Sequence, residues 1–142
     1  MASADTSDQT FPSKLQLRID WSEMDTFGHI NNVQYFKYTQ AARVNLWEQI
    51  KSMTAMWEQR VGPNLASASC QFRKPLFYPD TVRVQSRLEF IKTTSFGIHH
   101  QILNGTGELC AEAHDVCVLF DFNKNEKVAL TDTMREEMKA LT

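Results

Sequence analysis

Apolar and polar residues alternate near the start of the chain: Leu15, Leu17, Ile19 and Trp21 fall on one side, and Gln16, Arg18 and Asp20 on the other. A period of two is that of a half-buried strand. From Asn32 to Arg60 there is neither proline nor glycine, and Tyr35, Phe36, Tyr38, Ala42, Leu46, Trp47 and Ile50 recur at spacings of three and four. That pattern predicts one long helix, with Ala41 and Ala42 allowing close approach to a sheet. The run VGPN at 61–64 ends it, because Gly62 can take a positive φ and Pro63 cannot continue a helix.

Beyond Leu65 the period returns to two. LASASCQFRK alternates small apolar with polar residues, and LFYPD supplies a turn. The clearest strand is TVRVQSRLEFI, with Val82, Val84, Leu88 and Phe90 on one face and Arg83, Gln85, Arg87 and Glu89 on the other. Phe96, Ile98, His100 and Ile102 mark the next strand, and NGTG separates it hairpin-fashion from a last long strand at about Glu108 to Phe120. The polar turn DFNKNEK follows, and a short helix is expected from about Thr133 to Leu141. A strand, a long helix and about four antiparallel strands make an α+β domain in which the helix covers one sheet face. The sheet edges and patterned outer face favour pairing with another copy of the chain.

With 142 residues, one domain is expected, burying about two-thirds of the surface of the unfolded chain. Residues 1–12 read as a flexible leader ending at Pro12, and 13–142 as the domain. The net charge of −2 comes with no concentrated Lys/Arg block, which argues against nucleic acid as a partner. Cys70, Cys110 and Cys117 are odd in number and share no CxxC spacing. They read as free core or strand thiols in a reducing, cytoplasmic compartment. The start carries no basic and apolar signal pattern, and no later run approaches the roughly 18 apolar residues of a membrane span.

The candidate chemistry lies in DTFGHINNVQYFKY, Asp25 to Tyr38. Asn31 followed by Gln34 fits a helix capping box. One reading is a well-made loop and cap: Gly28 turns the chain, Asp25 satisfies backbone donors and His29 packs. The other uses the same residues for chemistry. Asp25 lies one short loop away from free N–H groups at a helix start, which stabilise developing negative charge. A carbonyl oxygen held there is polarised, and a carboxylate beside it can attack the carbonyl carbon or take a proton from an attacking water. A thioester suits this chemistry better than an amide, because its sulfur leaves readily and donates little resonance.

The segment RIDWSEMDTFGHINNVQYFKYTQAARVNLW resembles the signature of the hotdog-fold acyl-CoA thioesterases of the 4-hydroxybenzoyl-CoA thioesterase type: a strand, D-x-x-G-H-x-N-N-x-x-Y, then the central helix. The match is specific over residues 17 to 47, and the strand succession extends it over about 14 to 130. The resemblance implies a hotdog fold, a curled antiparallel β-sheet wrapped around one long central α-helix. It implies that Asp25 is the catalytic carboxylate and that the backbone N–H near Asn32 binds the thioester oxygen. Gly28 and His29 fall on the family's loop positions, with His29 shaping or polarising the site, and Gly28 and Asn31 are candidates for contacting the substrate. It also implies a homodimer in which the sheets join and active sites sit at the interface, assembly to a homotetramer, an acyl-CoA or acyl-pantetheine substrate, and no cofactor.

Two other readings stand beside it: an acyl-thioester binding or assembly protein without chemistry, and an enoyl-thioester hydratase or dehydratase of the same fold. The latter resembles D-x-N-P-x-H, whereas here Asp25 and His29 are four apart with no proline between. Arg73 and Lys74 are candidates for holding CoA phosphates, Arg73 first because of its planar fork. Tyr35 is a candidate for lining the acyl cavity, with Met56, Trp57, Phe77 and Tyr78 as further pocket candidates. His99, His100 and His114 lack the converging spacing of a metal site, and no metal is expected.

Overall fold

The computed structural model describes residues 11–142 except Thr26. Strand β1 (Ser13–Arg18) leads into a 3-10 turn (Trp21–Glu23), helix α1 (Asn32–Trp47) and a short helix α2 (Lys51–Thr54). Strands β2 (Val61–Phe72), β3 (Thr81–Ile91), β4 (Ser95–Leu103) and β5 (Leu109–Asp121) follow, then β6 (Glu126–Lys127) and helix α3 (Asp132–Lys139). All strand pairs are antiparallel, in the order β1-β3-β4-β5-β2, with β6 also on β5. The sheet curls around α1.

Periodicity located the strands but overstated the helix. α1 stops at Trp47 rather than near Arg60. Ile50 leaves helical geometry, and the bend keeps Ile50 and Met53 fully buried while bringing Ser52 onto the Glu137 carboxylate of α3. The residue with positive φ before β2 is Arg60, at 63°, not Gly62; β2 begins at Val61, with Pro63 inside this edge strand, where a missing N–H is tolerated. Trp21 does not continue the β1 face. The chain turns into the 3-10 segment after Asp20, whose carboxylate caps it, and Trp21 is 66% exposed. Phe36 is exposed and Phe90 only half-buried, next to a register shift between Leu88 and Phe90. Gln85, expected outside, is buried and bonds to Gln101 across the strand pair. Of the expected leader, residues 1–10 lie outside the described residues; Phe11 is buried against His99 and Arg87.

The core forms two apolar clusters. One gathers Leu46, Ile50, Met53, Phe96, Leu119 and Met138 around the end of α1 and α3. The other gathers Ile19, Tyr35, Tyr38, Ala42, Leu76 and Val82 around its start. Polar groups join helix to sheet within this core: Arg43 of α1 donates to Asp115 Oδ2 at 2.9 Å, His100 Nε2 meets the same oxygen at 2.7 Å, and His100 Nδ1 meets Ser86 Oγ at 2.7 Å. Burial acts to raise the Asp115 pKa, but the His100 and Arg43 interactions outweigh it and hold the carboxyl below its usual range.

β2 differs from the other long strands. Asn64 to Ser69, Gln71 and Phe72 are exposed although the strand is paired to β5 on one side along its length, with a register shift between Leu65 and Ser67. Its other edge is open among the described residues; Phe72, opposite Ala111, faces α1 and meets Tyr35 edge-on, yet it stays 47% exposed and Leu65 38%.

Candidate active site

The stretch from Met24 to Ile30 closes on itself and is stitched to the segment before β3. Asp25 N–H donates to His29 O at 2.7 Å, and Met24 bridges Ile30. Gly28 has φ +80°, a left-handed conformation that side chains rarely adopt. That turn lets Gly28 O accept from Tyr78 N at 2.9 Å while Ile30 N donates to Leu76 O at 2.9 Å. His29 packs its ring edge-on against Phe77 with centroids 4.7 Å apart. The loop is therefore a short strand-like piece held against residues 76–78.

Helix α1 begins directly after it. Asn31 is the N-cap, and its side-chain oxygen accepts from Val33 N at 3.0 Å while its carbonyl accepts from Gln34 N at 2.9 Å. The other half of the expected capping box does not form: Gln34 Oε1 is buried and takes no partner among the described residues. Asn31 N–H instead donates to Glu23 O at 3.2 Å. Among the described residues, these bonds leave the Asn32 N–H without an acceptor. That is the orphan donor that a first helical residue presents.

Asp25, His29, Asn31, Asn32, Tyr35, Arg73 and Lys74 line one open pocket of about 420 Å³, together with Ile30, Phe72 and Pro75. Seven residues from two distant stretches of chain thus meet in one space. Gly28 supports the loop from behind. Asp25 is exposed; its Oδ1 accepts a long 3.3 Å bond from Phe27 N, and Oδ2 takes no hydrogen bond among the described residues. Tyr35 contributes its ring, edge-on to Phe72 at 5.0 Å, while its buried hydroxyl accepts from Leu76 N at 3.0 Å. Burial raises the Tyr35 pKa, so that phenol stays neutral.

The cations are paired at the pocket mouth. Arg73 Nη2 lies 2.9 Å from Glu112 and Lys74 Nζ 2.7 Å from Glu108, with half or more of each cation exposed. Exposed pairs of this kind are worth about 0–1 kcal/mol, so an anionic ligand competes readily for both. Of the other pocket candidates, Trp57 lies elsewhere, in an apolar groove of about 340 Å³ with Val44, Trp47, Val61, Pro63 and Phe122.

Glu23 was missed in the sequence, where it reads as one more polar loop residue. It is 6% exposed; Oε1 accepts from Tyr38 O–H at 2.7 Å and Asp20 N at 3.1 Å, and Oε2 pairs with Lys37 at 2.9 Å. Its spacing to Tyr38 carries no short-range signal, since the contact depends on the chain folding back.

No group of three or more metal-ligating side chains is found among the described residues. His99 and His114 stack at 4.6 Å and bond to Glu112 and Glu89. The three cysteines are free; burial raises all three thiols, Cys117 to about 12. None is the low-pKa thiolate of a cysteine nucleophile.

Residues 19–138 match the family described as the thioesterase-like superfamily. The long-chain acyl-CoA thioesterase FadM of Escherichia coli K12 is 23% identical over 128 residues, covering 89% of this chain and 96% of that protein. A thioesterase of Thermus thermophilus, solved with coenzyme A and Zn, superposes with a TM-score of 0.81 at 22% identity, covering 94% of this chain and 96% of the other. The DHNA-CoA thioesterase of Staphylococcus aureus gives 0.79 at 19% identity, covering 90% and 87%. These structures share the hotdog architecture of a curled antiparallel sheet around a central helix.

Proposed function

The chain belongs to the thioesterase-like superfamily, and on that premise we propose that it hydrolyses an acyl-CoA or related pantetheine thioester to a free carboxylic acid and a thiol. The observation that carries this is the convergence of the Asp25 carboxylate and the open Asn32 N–H on one pocket. The N–H, backed by the α1 dipole, accepts the charge that builds on the carbonyl oxygen as the carbon becomes tetrahedral. Asp25 either attacks that carbon, giving an acyl-Asp anhydride that water then opens, or removes a proton from the water that attacks. In both routes the C–S bond breaks, the sulfur leaves with the electron pair and is protonated to thiol, and the oxygen added to the acyl group comes ultimately from water. Label in Asp25 after single turnover in oxygen-18 water identifies direct attack, with water opening the anhydride at the aspartyl carbon.

The remaining residues have supporting parts. Gly28 and Asn31 hold loop and cap, His29 borders the acyl carbon, and Tyr35 with Phe72 walls the acyl side. Arg73 and Lys74 exchange their glutamate partners for CoA phosphates. The assignment to the 4-hydroxybenzoyl-CoA thioesterase type rests on the D-x-x-G-H-x-N-N-x-x-Y pattern.

The bare β2 strand supports a homodimer. A second copy pairing antiparallel along the open edge satisfies its free backbone groups and covers Leu65 and Phe72. Pairing centred near Ser67 sets the 61–63 end of one β2 beside the 72–74 end of the other. The groove of Trp47, Trp57 and Phe122 in one copy then continues the Asp25 pocket of its partner and provides an apolar wall for the acyl group. A homotetramer forms from two such dimers. No helix among the described residues is long and apolar enough to cross a membrane, which is compatible with the cytoplasmic setting proposed from the free thiols. The test is thiol release from a panel of short, medium, long and aromatic acyl-CoAs; a purified, folded protein that releases none of them contradicts the reading.

A further inference from the structure

The proposed reaction needs Asp25 and the Asn32 N–H at a fixed separation, yet the two lie on either side of the Gly28 turn. Backbone contacts across the gap are Asp25 N to His29 O, at 2.7 Å, and Asn31 N to Glu23 O, at 3.2 Å. Glu23 adds a side-chain tie. From the 3-10 turn two residues before Asp25, its carboxylate reaches Tyr38 and Lys37 in the second turn of α1 and folds back onto Asp20 N–H. Its own carbonyl takes the N–H of Asn31, the neighbour of Asn32. Through these four bonds one residue is fastened to the segment that carries Asp25 and to the helix that presents Asn32.

The chemistry of the tie fits a carboxylate. All three of its side-chain partners are donors: a backbone N–H, a phenol and an ammonium. Burial acts to raise the Glu23 pKa, but the bonds from Lys37, Tyr38 and Asp20 outweigh it and hold the group ionised. Tyr38 is 2% exposed and Glu23 6%, so their bond is buried while Lys37 closes the tie from the surface at 66% exposed; none of the three lines the pocket.

We propose that Glu23 is a positioning residue for the reaction, setting the distance between the Asp25 carboxylate and the Asn32 N–H through its bonds to Tyr38, Lys37, Asp20 and Asn31. This inference rests on the thioesterase reading for its kinetic consequence, though not for its structural one. Misplacement of reacting groups by about 1 Å costs roughly 100-fold in rate, so loosening the tie lowers kcat and leaves substrate binding at the pocket walls nearly intact.

The test compares wild type, Glu23→Ala, Glu23→Gln and Tyr38→Phe. Kinetics use the best acyl-CoA substrate, and amide hydrogen exchange is followed residue by residue. Glu23→Ala is expected to lower kcat by more than about 30-fold with KM within about 3-fold. Glu23→Gln keeps an oxygen for Tyr38 and Asp20 and restores most of that loss. Exchange at the Asp25 and Asn31 amides speeds by more than about 10-fold in Glu23→Ala while β3–β5 amides keep their protection. Unchanged kcat with unchanged exchange at those two amides overturns the proposal, as does a uniform loss of protection with kcat and KM shifting together. Should Glu23→Ala fail to fold, Tyr38→Phe gives the same comparison with one bond removed. If wild type cleaves no thioester, the functional reading falls alone and the exchange pattern still decides the role of Glu23.

Discussion

The Tyr35 hydroxyl accepts the backbone N–H of Leu76 at 3.0 Å in a buried contact, so the first turn of α1 holds the same short segment that receives the Gly28–Ile30 loop. Leu76 N serves the helix, and Leu76 O serves Ile30. One peptide segment thus registers the loop against the helix start.

Tyr35→Phe removes that acceptor and leaves a buried N–H unpaired, at a cost of about 1–3 kcal/mol. Thermal melting should fall by several degrees, and kcat should fall with it because the loop that carries Asp25 loses a fixed point. Differential scanning calorimetry with parallel kinetics checks both. Unchanged melting and unchanged kcat refute the assignment.

Gly28→Ala meets no steric obstacle nearer than Tyr78 O at 3.9 Å, but the residue must hold φ +80°. The strain costs about 1–2 kcal/mol or is relieved by moving the loop. A folded variant with reduced kcat/KM is expected. Full activity with unchanged stability would mean that the loop does not need this backbone conformation.

The Asp115 carboxyl titrates below its usual value in the folded protein, despite burial, because His100 and Arg43 bind its charged form. A depressed folded pKa contributes stability that is present above the unfolded value, near 3.8, and is lost as pH falls through the folded one. Asp115→Ala leaves Arg43 buried without its carboxylate and should destabilise by about 3–5 kcal/mol at neutral pH. The variant's stability should also change less than wild type's as pH falls below the unfolded value near 3.8. Urea unfolding at several pH values measures the difference; parallel pH profiles refute the assignment.

Sedimentation should find a dimer or a multiple of it. Ser67→Glu combined with Ser69→Glu places like charges where two β2 strands meet, an arrangement that disfavours pairing. The double variant should shift toward monomer and lose turnover together, since the proposed site has walls from both copies. A monomeric wild type with full activity contradicts the interfacial site.

Strands β3, β4 and β5 were legible in the sequence to within a residue or two, because one covered face imposes alternation; β1 was read three residues too far, to Trp21, and β2 four residues too short at its start. The end of α1 was not. Ile50 and Met53 keep a helical spacing, yet their burial comes from packing of the bend against α3, which no local pattern encodes. β2 reads as an ordinary alternating strand, and its exposure emerges only when the sheet order puts it at the edge, where Tyr35 of α1 meets Phe72 but most of the strand stays uncovered. In the site, Asp25 to Asn32 could be read as one group since they are close in sequence and follow the cap logic of a helix start. Arg73 and Lys74 were placed by pattern, but their pairing with Glu112 and Glu108 depends on strand register. Glu23 stands three residues after Asp20, a local capping-box spacing that was not read, while its ties to Lys37 and Tyr38, fourteen and fifteen residues on, arise only from the chain folding back.

Asp25→Asn keeps the size and the loop bond to Phe27 N while removing the negative charge. Measured side by side on the best acyl-CoA, wild type should release thiol and the variant should fall by at least about 100-fold in kcat, with the same melting temperature. A variant that folds normally and releases thiol at close to the wild-type rate contradicts the account.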